Sequence, residues 1–290
     1  SRFSKTLGAR NEVLGMGYYL LVWALYAAKL FVPAIATPLY DLFLVLVTAG
    51  AFFFSLYLTA VQAFILKSWC TWCIASALCN TILFTLIFFT VPLAPVVALL
   101  GQYRLAALIM HNIGFILGLG AATITDILFF RFLKDHHISE DEKGTLDTLS
   151  SVIWVGLTLL VFSGLALYLP ESARLNESPK FLLKAVVVGV VLVNGFLLNF
   201  KVAPYLTQLS FDRAKAPTHL RRLAFALGGV SIVSWYTAFF LGSLRTIKVE
   251  FEHGLFIYFG LLVVSTIGSQ VFERFSVRKE PSPLPEAVNR

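Results

Sequence analysis

The chain has 290 residues, of which 58% are hydrophobic and 13% charged, and its mean hydropathy is +0.81; an ordinary soluble domain is excluded. The formal charge of +7 fits basic residues that flank membrane spans and face anionic lipid. No basic stretch is interleaved with exposed aromatics as a nucleic-acid surface requires, so no nucleic-acid partner is expected.

Apolar runs near the length that crosses a bilayer as a helix recur along the whole chain. The expected fold class is therefore all-α integral membrane. Residues 1–12 are polar and basic, with neither an initiator Met nor a signal peptide, so the natural N-terminus is expected upstream of Ser1. A first span is expected over Val13–Leu30, with Lys29 snorkelling near its end and Pro33 and Pro38 bracketing the loop. A second, free of charge, covers Leu42–Leu66 and carries small or hydroxylated residues (Gly50, Ala51, Ser55, Thr59) suited to close helix packing. The third starts at Trp69-Cys70-Thr71-Trp72-Cys73 and ends near Thr90, before Pro92 and Pro95. Residues 96–104 read as a connector.

Beyond the connector, aromatic-rich helices give way to glycine- and valine-rich ones, which places a domain boundary between 1–96 and 97–275. Five further spans are expected: Leu105–Phe132, Leu149–Leu169, Phe181–Phe200, Leu223–Leu244 and Leu255–Phe272. The first of these presents Gly114, Gly118 and Ala122 at four-residue spacing, a close-packing face. Residues 133–146 read as a charged loop and 276–290 as a polar, proline-rich, disordered tail. If eight spans alternate with the dithiol on the outer face, most of the 23 Lys and Arg residues fall on that outer side. This is the reverse of the positive-inside pattern.

Cys70 and Cys73 are the chain's chemical focus. At the start of a helix they lie one above the other on one face, and a helix N-terminus favours the reactive thiolate. The flanking Trp69 and Trp72 prefer the membrane–water interface. A zinc site lacks partners, because four ligands are needed and neither a His nor a second Cys pair lies nearby in sequence. A chance pair of inert buried cysteines is a second reading. A redox dithiol leads, since CxxC lowers a thiol pKa and sets a usable potential. Cys79, two turns further on, is expected as a small packing residue.

Residues 1–90 resemble the vitamin K epoxide reductase family. The resemblance lies in Trp69-Cys70-Thr71-Trp72-Cys73-Ile74-Ala75-Ser76-Ala77, in Phe53-Phe54-Ser55-Leu56-Tyr57-Leu58, in Arg10-Asn11-Glu12-Val13-Leu14-Gly15 and in Ser1-Arg2-Phe3-Ser4-Lys5. It implies a four-helix bundle around a quinone, here incomplete, followed by a five-helix bundle without a recognised relative. The family's first helix and loop cysteine pair would lie just before Ser1. It implies that Cys73 faces the quinone, that Cys70 exchanges disulfides with a shuttle cysteine in the outer loop, and that Asn11 hydrogen-bonds a quinone carbonyl. Ala77 stands where the animal enzymes carry a tyrosine, which points to a bacterial ubiquinone or menaquinone. An apolar quinone needs a greasy pocket with one or two placed polar groups. Phe52, Phe53, Phe54 and Tyr57 are its candidate walls, with lipid contact the competing reading of each. The implied partners are membrane lipid, the quinone and a thioredoxin-like thiol protein. The implied location is the bacterial inner membrane, with the dithiol toward the periplasmic face.

In the second half, Asp126 reads either as part of a proton or cation path or as a carboxyl bonded to Thr123 or Thr125 or lying beside Arg131. His111 and His253 are candidate haem ligands or hydrogen-bonded interfacial histidines. His136 and His137 beside Asp135 are a weak metal candidate or part of a solvated loop, and Asn194 is an expected interhelical hydrogen bond. Three functions follow. The first is a quinone-linked thiol oxidoreductase. The second is transport or haem or metal electron transfer by the five-helix half, and the third is a structural membrane subunit with a degenerate redox domain.

Overall fold

The computed structural model describes residues 5–6, 9–132, 138–208, 218–244 and 249–276. The protein is an all-α integral membrane protein. Among the described residues, eight helical segments are long and apolar enough to cross a membrane. The chain divides into two compact units, Ser1–Arg104 and Leu105–Arg290.

Unit 1 opens on a two-residue ribbon, β1 (Lys5–Thr6) against β2 (Ala9–Arg10) with Lys5 opposite Arg10. Three long helices follow: α1 (Asn11–Phe31), α2 (Pro38–Val61) and α3 (Thr71–Thr90). The α2 helix starts four residues earlier than the apolar run does, because Pro38 sits at its first position and the Thr37 hydroxyl accepts from the Tyr40 amide. The earlier start brings Asp41 into the first turn, and Lys29 donates to it at 2.6 Å. Lys29 therefore does not snorkel; it neutralises a carboxylate that is 2% exposed. The connector is not irregular either. Residues Leu93–Gln102 form α4, an apolar helix of 10 residues, about 15 Å long and too short to span. Val96 of α4 joins Leu44, Ile87 and Val91 in the unit's core.

Unit 2 contains α5 (Arg104–Phe132), α6 (Glu140–Tyr168), α7 (Ser172–Asn176), α8 (Pro179–Leu197), α9 (Thr218–Ser243) and α10 (Phe251–Ser276). The charged stretch before α6 is helical from Glu140 onward. Ser139 and Glu142 close a reciprocal capping box, and three acidic residues occupy the first turn where the helix dipole favours them. Residues 133–137, with the His136–His137 metal reading, and residues 277–290 of the expected tail lie outside the described residues.

Glycines set the tightest approach in unit 2. A Cβ on Gly156 would lie 2.6 Å from the Gly118 amide and 2.8 Å from the Gly114 carbonyl. The two helices thus cross backbone to backbone, with Gly114, Gly118 and Ala122 all buried. A Cβ on Gly118 would also run into the Trp235 ring. Elsewhere α9 and α10 are tied by a buried ion pair, Arg221 Nε to Glu273 at 2.5 Å. The exterior is apolar, with Trp23, Phe31, Phe89, Phe256 and Phe275 well exposed, as expected for surfaces that face lipid.

Candidate functional site

The α2 helix does not end as a regular helix. Gln62–Leu66 form a π turn that stops at Lys67, which has a left-handed φ of 49°. A lysine tolerates this conformation at a cost, and single π turns often mark functional sites. The chain then runs extended through Cys70, the N-cap of α3 with φ −105° and ψ 117°. Cys73 follows at the third helical position, so the pair occupies the first turn. Both thiols are exposed and unpaired as a disulfide. Trp69 and Trp72 flank them, 64% and 86% exposed, as interfacial anchors would be.

The environment sets the two sulfurs apart. The Cys70 thiol is held below its ordinary range, first by the Cys73 thiol as a hydrogen-bond partner and then by the nearby Cys73 and Trp72 amides. Neither amide closes a capping hydrogen bond on it. Glu12, at the start of α1, lies close enough to oppose the effect slightly, so the start of α1 and the start of α3 share one end of the unit.

Gln62 reaches this turn from the π segment. Its Oε1 accepts from the Cys70 amide at 3.1 Å, and its side chain also meets the Cys73 thiol. At 8% exposure it is a buried polar group satisfied by the dithiol turn itself.

Below Cys73, the inner face of α3 carries a row of polar groups. Ser76, three residues on, pairs through its hydroxyl with Tyr19 of α1 at 2.8 Å. Asn80, seven residues on, donates from Nδ2 to the Ser55 hydroxyl of α2 at 2.5 Å. Asn80 is 5% exposed and its Oδ1 has no partner. Gln62, Tyr19, Ser76, Ser55 and Asn80 were not among the expected site residues. Spacings of three and seven from Cys73 place Ser76 and Asn80 on its helical face, so that part was readable from the chain.

The expected residues fall as follows. Asn11 is the first residue of α1. Phe54 and Tyr57 are half-buried and stack on one another at 6.3 Å. Phe52 stacks on Phe84 at 4.6 Å and serves the packing of α2 on α3, while Phe53 is 50% exposed. Cys79 is exposed, where a small packing residue was expected. The buried stripe of α3 runs through Asn80 and Ile87, and Cys79 stands about 100° away from it. In unit 2, His111 Nδ1 pairs with the Ser163 hydroxyl at 3.1 Å, and the exposed His253 pairs with Glu250 at 2.8 Å; each imidazole has a partner of its own. Asn194 does bridge helices, donating to the Leu227 carbonyl at 3.1 Å. Thr123 and Thr125 do not meet Asp126, because each hydroxyl donates to the carbonyl four residues back.

Two thiols of unequal environment thus share one turn, over a polar row that leads into an apolar bundle. Residues 1–88 match the Vitamin K epoxide reductase family. The match covers the dithiol turn and all three long helices of unit 1 as far as Phe88, and unit 2 lies outside it. No curated protein and no solved structure matches the chain.

Proposed function

We infer that unit 1 passes electrons from a thioredoxin-like thiol protein through Cys70 and Cys73 to a membrane quinone of the ubiquinone or menaquinone type. The observation that carries this reading is the dithiol at the N-terminus of α3, with the Cys70 thiol favoured as thiolate and Cys73 directed along the polar row. The family match supports the reaction class.

Disulfide exchange begins at the exposed end. A thiolate of the partner protein attacks Cys70 Sγ of the Cys70–Cys73 disulfide, and Cys73 leaves as the thiolate. The partner's second thiolate then attacks its own sulfur of the mixed disulfide and frees Cys70. The partner ends as a disulfide and the pair as a dithiol, so two electrons and two protons have moved onto it. The quinone supplies the oxidising power, taking up those two electrons and two protons as the pair closes again to the disulfide. Cys73, inward of Cys70, delivers them, and the Gln62 amide beside it steadies its thiolate.

The residues present fit such a substrate. The Tyr19 and Ser76 hydroxyls can turn to donate to a quinone carbonyl. The buried Asn80 Oδ1, unpartnered in the structure, is an acceptor that a quinol hydroxyl satisfies and a quinone carbonyl does not. Asn11, Phe54 and Tyr57 complete the proposed site as donor and walls. The proposed setting is the bacterial inner membrane, with the dithiol at the periplasmic face. Purified protein with a reduced thioredoxin-like substrate and a soluble quinone is expected to oxidise that substrate, and Cys73→Ser is expected to abolish the activity. Undiminished turnover in that variant overturns the reading.

A further inference from the structure

Unit 2 contains a cavity that the dithiol chemistry does not use. It has a volume of about 340 Å³ and forms where the ends of α5 and α8, the start of α6, the first half of α9 and the second half of α10 meet. That volume is at the lower end for a small-molecule site. Phe129, Phe225, Trp154 and Trp235 are the aromatic part of its wall together with Phe130 and Phe272. Gly118 is what leaves room for Trp235, since a side chain there would strike the indole.

The polar groups in this wall are one-sided. Among the described residues no Lys, Arg or His lines the cavity, whereas Asp126 and Asp147 both do. Asp126 lies six residues before the end of α5, about 9 Å inside the helix. Among the described residues no donor or cation meets its carboxyl. A lone carboxylate at such a depth is expensive and is normally paired or functional. Asn194 is the second observation, independent of the first. It lines the same cavity at 4% exposure, and with Nδ2 engaged by the Leu227 carbonyl its Oδ1 has no partner. A buried acceptor left open is costly unless a donor arrives.

The missing component must bring positive charge and an apolar body. An anion finds no cationic side chain among the described residues here. A neutral quinone, which has only acceptors, satisfies neither Asp126 nor Asn194. A metal ion is disfavoured, because no group of three or more His, Cys, Asp or Glu side chains able to hold one occurs among the described residues, and the aromatic walls suit an organic cation. We propose that this cavity is a binding site for a small lipophilic organic cation. Asp126 pairs with its charge, Asn194 Oδ1 accepts from its N–H where it has one, and the aromatic rings enclose its apolar part. Asp147, two turns into α6, attracts the cation at the rim.

The test uses the full chain in lipid nanodiscs, with ethidium as a fluorescent lipophilic cation. Saturable binding is expected, displaced by tetraphenylphosphonium and not by decylubiquinone. Asp126→Asn is expected to weaken binding at least tenfold and Asp126→Glu by no more than a few fold. Labelling of Asp126 by a carbodiimide in the unmodified protein is expected to fall when tetraphenylphosphonium is bound, a readout that does not depend on any variant folding. Absence of saturable binding, an Asp126→Asn affinity within twofold of the original, displacement by the quinone, or unprotected labelling of Asp126 each overturns the proposal. Alkylation of Cys70 and Cys73 is expected to be the same in Asp126→Asn, so failure here is separable from failure of the thiol-oxidation reading.

Discussion

The Arg221–Glu273 pair offers a quantitative test of how unit 2 is held together. Its side chains are 4% and 3% exposed, joined at 2.5 Å between α9 and α10, and Arg221 Nη1 has no partner among the described residues. Replacing Glu273 by Leu leaves a buried guanidinium without its counter-charge, which typically costs about 3–5 kcal/mol. Replacing both residues, Arg221→Met with Glu273→Leu, removes two desolvated charges together and is expected to be neutral or to stabilise by about 1–4 kcal/mol. The unmatched Nη1 favours that outcome, since the pair as it stands leaves one donor unsatisfied. Unfolding in mixed micelles on titration with sodium dodecyl sulfate, followed by tryptophan fluorescence, measures all the variants in one cycle; Trp235, itself 4% exposed in α9, is a local reporter. The reasoning is refuted if Glu273→Leu costs less than about 1 kcal/mol, or if the double variant is no more stable than the single, against the expected interaction energy of a contacting pair.

Three more outcomes follow from the geometry. The Cys73 thiol beside it lowers the Cys70 pKa, so alkylation of Cys70 by iodoacetamide is expected to be faster at neutral pH than that of an ordinary thiol and to level off at lower pH; in Cys73→Ala the pKa is expected to move up and the neutral-pH rate to fall, which mass spectrometry of the labelled peptide reads directly, and an unchanged profile contradicts the assignment. Gln62→Leu removes the acceptor of the Cys70 amide, a loss of about 1 kcal/mol that corresponds to roughly fivefold in thiol oxidation if expressed in the barrier, whereas Gln62→Glu, which keeps an acceptor, is expected to retain most of the rate. Gly156→Val forces a side chain into the α5–α6 crossing and is expected to destabilise by about 1–3 kcal/mol in the same micelle titration, while Gly144→Ala, with open space around it, is expected to be silent.

The spans were legible because an uninterrupted apolar run has few ways to exist except inside a membrane. Their ends were less so. Hydropathy falls off before Asp41 and Glu140, yet Thr37 with Pro38, and Ser139 with Glu142, carry the helices past that point through capping. Both are local signals that a reading by apolar run passes over. Lys29 looked like a snorkelling residue because its partner follows a loop bracketed by two prolines, and only tertiary closure brings the two together. The dithiol's place at the head of a helix was readable from the break at Lys67 and Ser68. Gln62 was not, because a π turn has no spacing signature of its own. Asp126 was read either as part of a proton or cation path or as a carboxyl bonded to Thr123 or Thr125 or lying beside Arg131; the threonine hydroxyls close on their own helix, and the cavity around the carboxyl depends on five helices meeting, which no local pattern encodes.

The π turn at Gln62–Leu66 has a consequence for inheritance rather than chemistry. A π turn accommodates one residue more than an α-helical turn, so deletion of any single residue there would let α2 continue as regular helix. Residues downstream would keep their direction, because the wide turn is what absorbs the extra residue, but the wide turn that carries Gln62 to the Cys70 amide would be lost. Point substitutions in Ala63–Leu66 leave the count intact, whereas a one-codon deletion changes it. The segment is therefore expected to tolerate variation in identity far better than variation in length, with the Gln62 contact to the dithiol turn as what is lost when the length changes.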